Sequence, residues 1–139
     1  MVNEIYKKQH GSALSLIMAI AVLFFDQTAK YLAAKKIIFL EINRNFGSVL
    51  ADFPQNSTFF IVIAIVLSLF LVRKAMALHD TLSSLALGLM AGGALSNALD
   101  FLINGYINDY ININPFSFNL ADLSIYSGAL LLSWKILRK

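Results

Sequence analysis

The chain has 139 residues, of which 58% are hydrophobic and 14% charged, with a formal net charge of +3 and no cysteine. Soluble globular proteins carry about 25% charged residues, so this composition favours a membrane protein over a soluble helical bundle. The lack of cysteine excludes disulfides and thiolate nucleophiles. The basic residues lie near the ends of apolar stretches, where they suit membrane topology better than nucleic-acid binding.

Four apolar stretches are predicted as membrane spans. They run from about Ser12 to Ala34, Thr58 to Val72, Leu82 to Ile103 and Leu120 to Leu137. A hydrocarbon core requires about 20 apolar residues in a helix, and the backbone of a lipid-exposed segment must satisfy its own hydrogen bonds. We therefore expect an all-α membrane protein with four transmembrane helices, a retained first span and a single domain over residues 1–139.

The charge distribution predicts the orientation of these spans. If both termini are cytoplasmic, most basic residues lie inside, as the positive-inside rule requires: Lys7, Lys8, Arg73, Lys74, Lys135, Arg138 and Lys139. Most acidic residues then lie at or near the outer face: Asp26, Glu41, Asp52, Asp100, Asp109 and Asp122. The sequence therefore gathers its carboxylates on one side of the membrane.

The two outer loops have β-like patterns. Residues 37–40 are β-prone, and a turn is predicted from Asn43 to Gly47. Residues Tyr106 to Ile113 alternate, which predicts a strand with Asp109 on its aliphatic face. We expect the two loops to form a small extracytoplasmic β-like cradle.

The presence of ionisable residues within or beside the spans needs an explanation, since inserting one at the centre of a membrane helix costs about 2.5–3.5 kcal/mol. Asp26 and Lys30 are four residues apart, so they lie on one helix face and can pair. Asn97 and Asp100 share a face of the third span. By position alone, Asp100 is either a catalytic acid or a structural group at the helix end.

The start of the fourth span carries a helix-capping pattern. Asn119 suits the N-cap, and Asp122 suits the third helical position of a capping box. Capping therefore competes with catalysis as the explanation for Asp122. His10 and His79 lie far apart on the cytoplasmic side, so neither a zinc site nor a histidine-based triad is expected.

Five motifs follow one another along the chain. They are Asp26-Gln27-Thr28-Ala29-Lys30; Asn45-Phe46-Gly47; Gly92-Gly93-Ala94 with Asn97-Ala98-Leu99-Asp100; Gly105-Tyr106-Ile107-Asn108-Asp109; and Phe118-Asn119-Leu120-Ala121-Asp122. Together they resemble the motifs of lipoprotein signal peptidase (signal peptidase II), the intramembrane aspartic peptidase family of bacteria. The last motif is the most specific match, to the element F-N-x-A-D.

This resemblance implies an aspartic endopeptidase of the bacterial cytoplasmic (inner) membrane. It would remove the signal peptide from diacylglyceryl-modified prolipoproteins by cutting before the lipidated cysteine, with Asp109 and Asp122 as the catalytic pair. Prolipoprotein and membrane lipid are the implied partners, no metal or cofactor is required, and we expect a monomer. Substrate-binding or supporting roles are expected for Asn45, Gly47, Asn97, Asp100, Asn119, Asp26 and Lys30.

The chain also departs from the family pattern. Phe101 stands where the family usually has an arginine after Asp100. We consider Arg44, from the opposite outer loop, as a replacement for that arginine. Only twelve residues separate Asp109 from Asp122, so the loop between them is short.

Two other functional classes remain open at this stage. A proton-coupled four-span exporter would use Asp26 as its proton carrier, although Asp26 lies near the outer end of its span. A catalytically inactive paralogue would bind lipidated proteins without cutting them, and the change at Phe101 is compatible with that class.

Overall fold

Four α-helices make up most of the computed structural model, which describes residues 2–38, 40–45, 57–77 and 80–138, with side chains for 13–38, 40–45, 62–74 and 80–138. The helices are α1 (Val2–Ala34), α2 (Ser57–Ala77), α3 (Thr81–Asn104) and α4 (Leu120–Leu137). The protein is therefore mostly helical, as expected.

Among the described residues, four short strands lie between the helices. They are β1 (Asn43–Asn45), β2 (Ile107–Asp109), β3 (Ile111–Ile113) and β4 (Phe116–Phe118). β1 pairs antiparallel with β2 and β3 pairs antiparallel with β4, which gives two small sheets. Asn43 joins them, since its side-chain amide donates to Asn112 (2.7 Å) and to Ser117 (2.6 Å).

Helix α3 is the central element and packs against α1, α2 and α4. Its glycines permit close backbone approach. A Cβ added at Gly92 would lie 2.6 Å from the carbonyl oxygen of Ala19 on α1, and one at Gly93 would collide with the carbonyl of Ala121 on α4. The small residues of α3 therefore bring α1 and α4 close to α3, where polar side chains of the three helices meet.

Within the part of the chain that the structure describes, three helices are long and apolar enough to cross a membrane: Ala13–Ala34, Thr81–Asn104 and Leu120–Leu137. They match the first, third and fourth expected spans. Large side chains such as Phe24 and Leu130 are exposed on them, as lipid-facing residues would be. The expected second span falls within α2, for which side chains are described only over 62–74, so the count of four spans stays a prediction.

The loop expectations are partly wrong. Asn43–Asn45 forms a strand where a turn was predicted, because pairing with β2 outweighs the local preference of asparagine for turns. Gly47 lies outside the described residues. The segment Tyr106–Ile113 does form strands, but it divides into β2 and β3 at Tyr110, whose side chain is buried in the bundle.

The start of α3 and the end of α4 are joined by a polar cluster. Asp80 caps α3 by accepting from the backbone N–H of Ser83 (2.8 Å). Lys135 of α4 forms a salt bridge with Asp80 and donates to the Ser83 hydroxyl. The hydrogen bonds from Lys135 and Ser83 lower the pKa of Asp80 to about 2.

Replacing Gly92 by alanine tests the close packing of α1 on α3. We expect Gly92→Ala to lower the free energy of unfolding by about 1–3 kcal/mol, because the added methyl group meets rigid backbone. Reversible unfolding in mixed detergent micelles would measure this. Ala94→Val, a half-buried position on the same helix, is the control. Equal stability of Gly92→Ala and the unsubstituted protein would contradict the packing described.

Candidate active site

The N-terminus of α4 is buried, and partners from other elements accept its first backbone N–H groups. The N–H of Leu120 donates to the hydroxyl of Tyr110 (3.1 Å), and the N–H of Ala121 donates to Asp26 Oδ1 (3.1 Å). The N–H of Asp122 donates to the side chain of Asn119 (2.9 Å). A helix begins with N–H groups that lack partners within the helix, and each of these three is satisfied here.

Asp122 both caps the helix and reaches a neighbouring helix. Its Oδ2 accepts from the backbone N–H of Asn119 (3.2 Å), which completes the capping box predicted from sequence. Its Oδ1 accepts from the side-chain amide of Asn97 on α3 (2.7 Å). The capping prediction is confirmed, and one carboxylate serves both the cap and the contact with α3.

Asp109 lies at the end of β2, almost completely buried, with 1% of its surface exposed. Its Oδ1 accepts from the Asn119 amide (2.7 Å), and its Oδ2 accepts from the Asn45 amide of β1 (2.9 Å). Burial raises the pKa of Asp109; the hydrogen bond from Asn45 opposes this shift, and the negative charge of Asp122 adds to it. Asn119 is thus hydrogen-bonded to both aspartates.

Lys30 is a buried cation in the same polar network. It pairs with Asp26 (2.6 Å) and Asp100 (3.3 Å), and it donates to Asn97 Oδ1 (3.1 Å). Asn97 Oδ1 also accepts from Asn119 (3.2 Å). The oxygen of the Asn97 amide faces Lys30 and Asn119. The NH₂ group of the same amide therefore points toward Asp122.

Asp100 ties the end of α3 to the strand that carries Asp109. Its Oδ2 accepts from the backbone N–H of Asn108 (2.7 Å) and from the side-chain amide of the same residue (3.2 Å). The helix ends at Asn104, and the next residue, Gly105, has a left-handed φ of 75° and donates its N–H to the carbonyl of Phe101. This left-handed turn leads directly into β2.

The structure brings together all but one of the residues predicted for the site. Gly47 is the exception, since it lies outside the described residues. The Asp26–Lys30 pair is confirmed. Sequence reasoning missed Tyr110 and Ser96, which donate to Asp26 at 3.0 and 2.7 Å. The alternating pattern of residues 106–113 placed Tyr110 on the face opposite Asp109 but did not indicate that Asp26 is its partner.

Arg44 occupies a different position from the two aspartates. Its guanidinium lies 5.1 Å from the centre of the Tyr106 ring, and it pairs in register with Asn108. Successive strand residues face opposite sides of a sheet, so Arg44 lies on the face opposite Asn45 and Asp109. A cavity of about 850 Å³ borders this face.

Comparison with known families identifies one match. Residues 18–138 match the family described as signal peptidase (SPase) II. The lipoprotein signal peptidase of Staphylococcus haemolyticus is 34% identical, with 95% of this chain and 96% of the relative covered. That of Caldanaerobacter subterraneus is 30% identical, with 91% and 97% covered.

Two solved structures, both described as bacterial membrane enzymes, have similar folds. One, at 2.3 Å resolution, has a TM-score of 0.77 and 28% identity, covering 89% of this chain and 87% of its own. The other, at 1.9 Å resolution, has a TM-score of 0.79 and 26% identity, covering 90% and 93%.

Removing the buried cation tests the charge balance of the site. We expect Lys30→Met to lower the free energy of unfolding by about 3–5 kcal/mol, because Asp26 and Asp100 would be left without their counter-ion. Lys35→Met removes an exposed lysine one turn later and should change stability little. Unfolding in mixed micelles would compare the two. A small effect of Lys30→Met would show that these carboxylates do not depend on its charge.

Proposed function

This chain belongs to the signal peptidase II family, and we propose that it is an aspartic endopeptidase that removes signal peptides from diacylglyceryl-modified prolipoproteins, cutting before the lipidated cysteine. The observation that carries the aspartic mechanism is the placement of Asp109 and Asp122 on either side of Asn119, which hydrogen-bonds to both.

The two carboxylates supply an acid and a base in one place. Carboxylates held close together resist ionising at the same time, so they share a proton and titrate as a pair. Burial of Asp109, together with the charge of Asp122, favours keeping that proton. The ionised member would take a proton from a water molecule as it attacks the scissile carbonyl. The protonated member would donate to the carbonyl oxygen and then assist departure of the amine.

The surrounding residues would support this pair in two ways. Asn45, Asn97 and Asn119 present amides beside the two acids and are suited to hydrogen-bond an extended substrate backbone. Asp26 and Lys30 would act as supporting residues, since their contacts reach α4 and Asn97 rather than the two carboxylates.

Two further assignments complete the set. Asp100 would hold the start of β2 through Asn108 and would not act as a catalytic acid. Gly47, in the motif that begins at Asn45, would allow substrate to approach closely.

The location of the pair suits a substrate that stays in the bilayer. Asp122 lies at the start of one apolar helix, and Asp109 lies in a short strand between two of them. We propose four spans with both termini cytoplasmic and the two sheets as an extracytoplasmic cradle. The acyl chains and signal helix of the substrate would then remain in lipid beside a monomeric enzyme while cleavage occurs at the outer surface.

The alternatives have less support. An exporter that uses Asp26 would need a carboxylate able to exchange protons with a path across the membrane. Asp26 is instead fully buried, ion-paired with Lys30 and hydrogen-bonded by Ser96, Tyr110 and Ala121. An inactive paralogue would bind prolipoprotein without processing it, and a processing assay on the unsubstituted protein distinguishes it from an active enzyme.

Changing either aspartate to asparagine tests the catalytic pair. We expect Asp109→Asn and Asp122→Asn each to abolish processing of a lipid-modified prolipoprotein by membranes containing the variant, while the protein still accumulates, because neither amide can act as acid or base. Glu41→Gln, an exposed acid near the same sheets, should retain activity. Near-normal turnover by either aspartate variant would refute the pair, and no processing by the unsubstituted chain would favour the inactive alternative.

Single cysteines test the proposed topology, since the chain has none of its own. In spheroplasts, we expect a membrane-impermeant maleimide to label Asn114→Cys in the exposed β3–β4 turn. Lys74→Cys near the end of α2 and Arg138→Cys after α4 should be labelled only after permeabilisation, because the basic ends of spans stay inside. Labelling of Lys74→Cys from outside would contradict the four-span arrangement.

A further inference from the structure

The proposed reaction gives no role to Tyr110, although its side chain lies in the site. It follows Asp109 directly, is 5% exposed and lies between β2 and β3. Its hydroxyl donates to Asp26 Oδ1 (3.0 Å) and accepts from the N–H of Leu120 (3.1 Å). One phenol therefore joins the segment that carries Asp109 to helix α1 and to the start of helix α4.

We propose that Tyr110 is a positioning residue that sets the separation of Asp109 and Asp122. This inference rests on the proposed function and deepens it. Asp109 is fixed to the main chain one residue before Tyr110, and Asp122 lies two residues after Leu120. The hydrogen bond from the Leu120 N–H to the Tyr110 hydroxyl therefore connects the segment that carries Asp109 to the helix turn that carries Asp122, and it involves neither carboxylate.

Asp26 completes this link. Its Oδ1 accepts both from Tyr110 and from the N–H of Ala121 (3.1 Å). The Tyr110 hydroxyl and the first turn of α4 therefore bind the same carboxylate oxygen. The carboxylate of Asp26 is itself held by Lys30 and Ser96 through its other oxygen. Burial raises the pKa of Tyr110 far above its usual range, and the charge of Asp26 adds to the shift. The phenol therefore keeps the proton that it donates.

Tyr110→Phe removes this hydroxyl with little change in shape. Without it, the N–H of Leu120 loses its acceptor and the start of α4 is less firmly held against Asp109. Errors of about 1 Å in the placement of reacting groups cost up to about 10²-fold in rate. We therefore expect kcat on a lipid-modified prolipoprotein to fall by about 10- to 100-fold, with KM changed less than about twofold. Tyr126→Phe, an exposed tyrosine on α4, should have normal kinetics.

A second readout does not depend on activity. Burial and the nearby charge of Asp122 raise the pKa of Asp109, and Asp122 lies in the helix turn that Tyr110 holds. Loosening that turn should move the Asp122 charge away from Asp109 and open the site to water, so Tyr110→Phe should lower the pKa of Asp109. Titration of ¹³C-labelled aspartate carboxyls by NMR in micelles would measure the shift. If the pKa of Asp109 is the same in Tyr110→Phe and in the wild type, the proposed role of Tyr110 is wrong. This test is separate from the proposed function, because the titration can be measured even if the wild-type protein does not process prolipoprotein.

A double-mutant cycle separates positioning from general loss of structure. Leu120→Pro removes the N–H that the hydroxyl accepts. Proline is tolerated at the first helical position, and Asn119, with φ −132° and ψ 178°, already has the extended backbone required before proline. Both substitutions delete the same hydrogen bond. The double variant should therefore change kcat and the pKa of Asp109 by much less than the sum of the changes in the two single variants. Additive effects, or a Tyr110→Phe kcat equal to wild type, would overturn the assignment.

Discussion

The buried start of helix α4 is the constraint on which the rest of the site depends. Helix N-termini expose N–H groups that must find acceptors when water is excluded. Here Tyr110, Asp26 and Asn119 accept the first three of them. An anion beside this end is also favoured by the helix dipole. The same contacts that satisfy Leu120 and Ala121 therefore bring α1, the segment between β2 and β3, and α4 together at one point.

Charge balance extends that constraint into the chemistry. A buried carboxylate at a helix start needs a counter-ion, and Lys30 supplies one to both Asp26 and Asp100. Lys30 also fixes the orientation of the Asn97 amide, which then donates to Asp122. Asp122 and Asp109 contact amides rather than cations among the hydrogen bonds described, which suits two groups that are proposed to share a proton. Lys30 thus pairs with Asp26 and Asp100, while amides hold Asp109 and Asp122, the carboxylates that are proposed to react.

Local patterns predicted much of this arrangement. Hydropathy located α3 and α4, the spacing of Asp26 and Lys30 predicted their pair, and the Asn119–Asp122 spacing predicted the capping box. Contacts between distant segments left no such pattern. Asp26 meets Tyr110 and Ala121 across 84 and 95 residues, and no periodicity in the chain encodes those partners. The strand that begins at Asn43 was also missed, because its pairing with β2 depends on where the helices place both loops.

The pairing of the two aspartates is tested most directly by measuring how one titrates when the other is neutralised. The negative charge of Asp122 raises the pKa of Asp109, so removing that charge should lower it. NMR titration of ¹³C-labelled aspartate carboxyls should show the pKa of Asp109 falling in Asp122→Asn and unchanged in Glu41→Gln. If the titration of Asp109 is the same with and without the Asp122 charge, the two acids do not act as a pair.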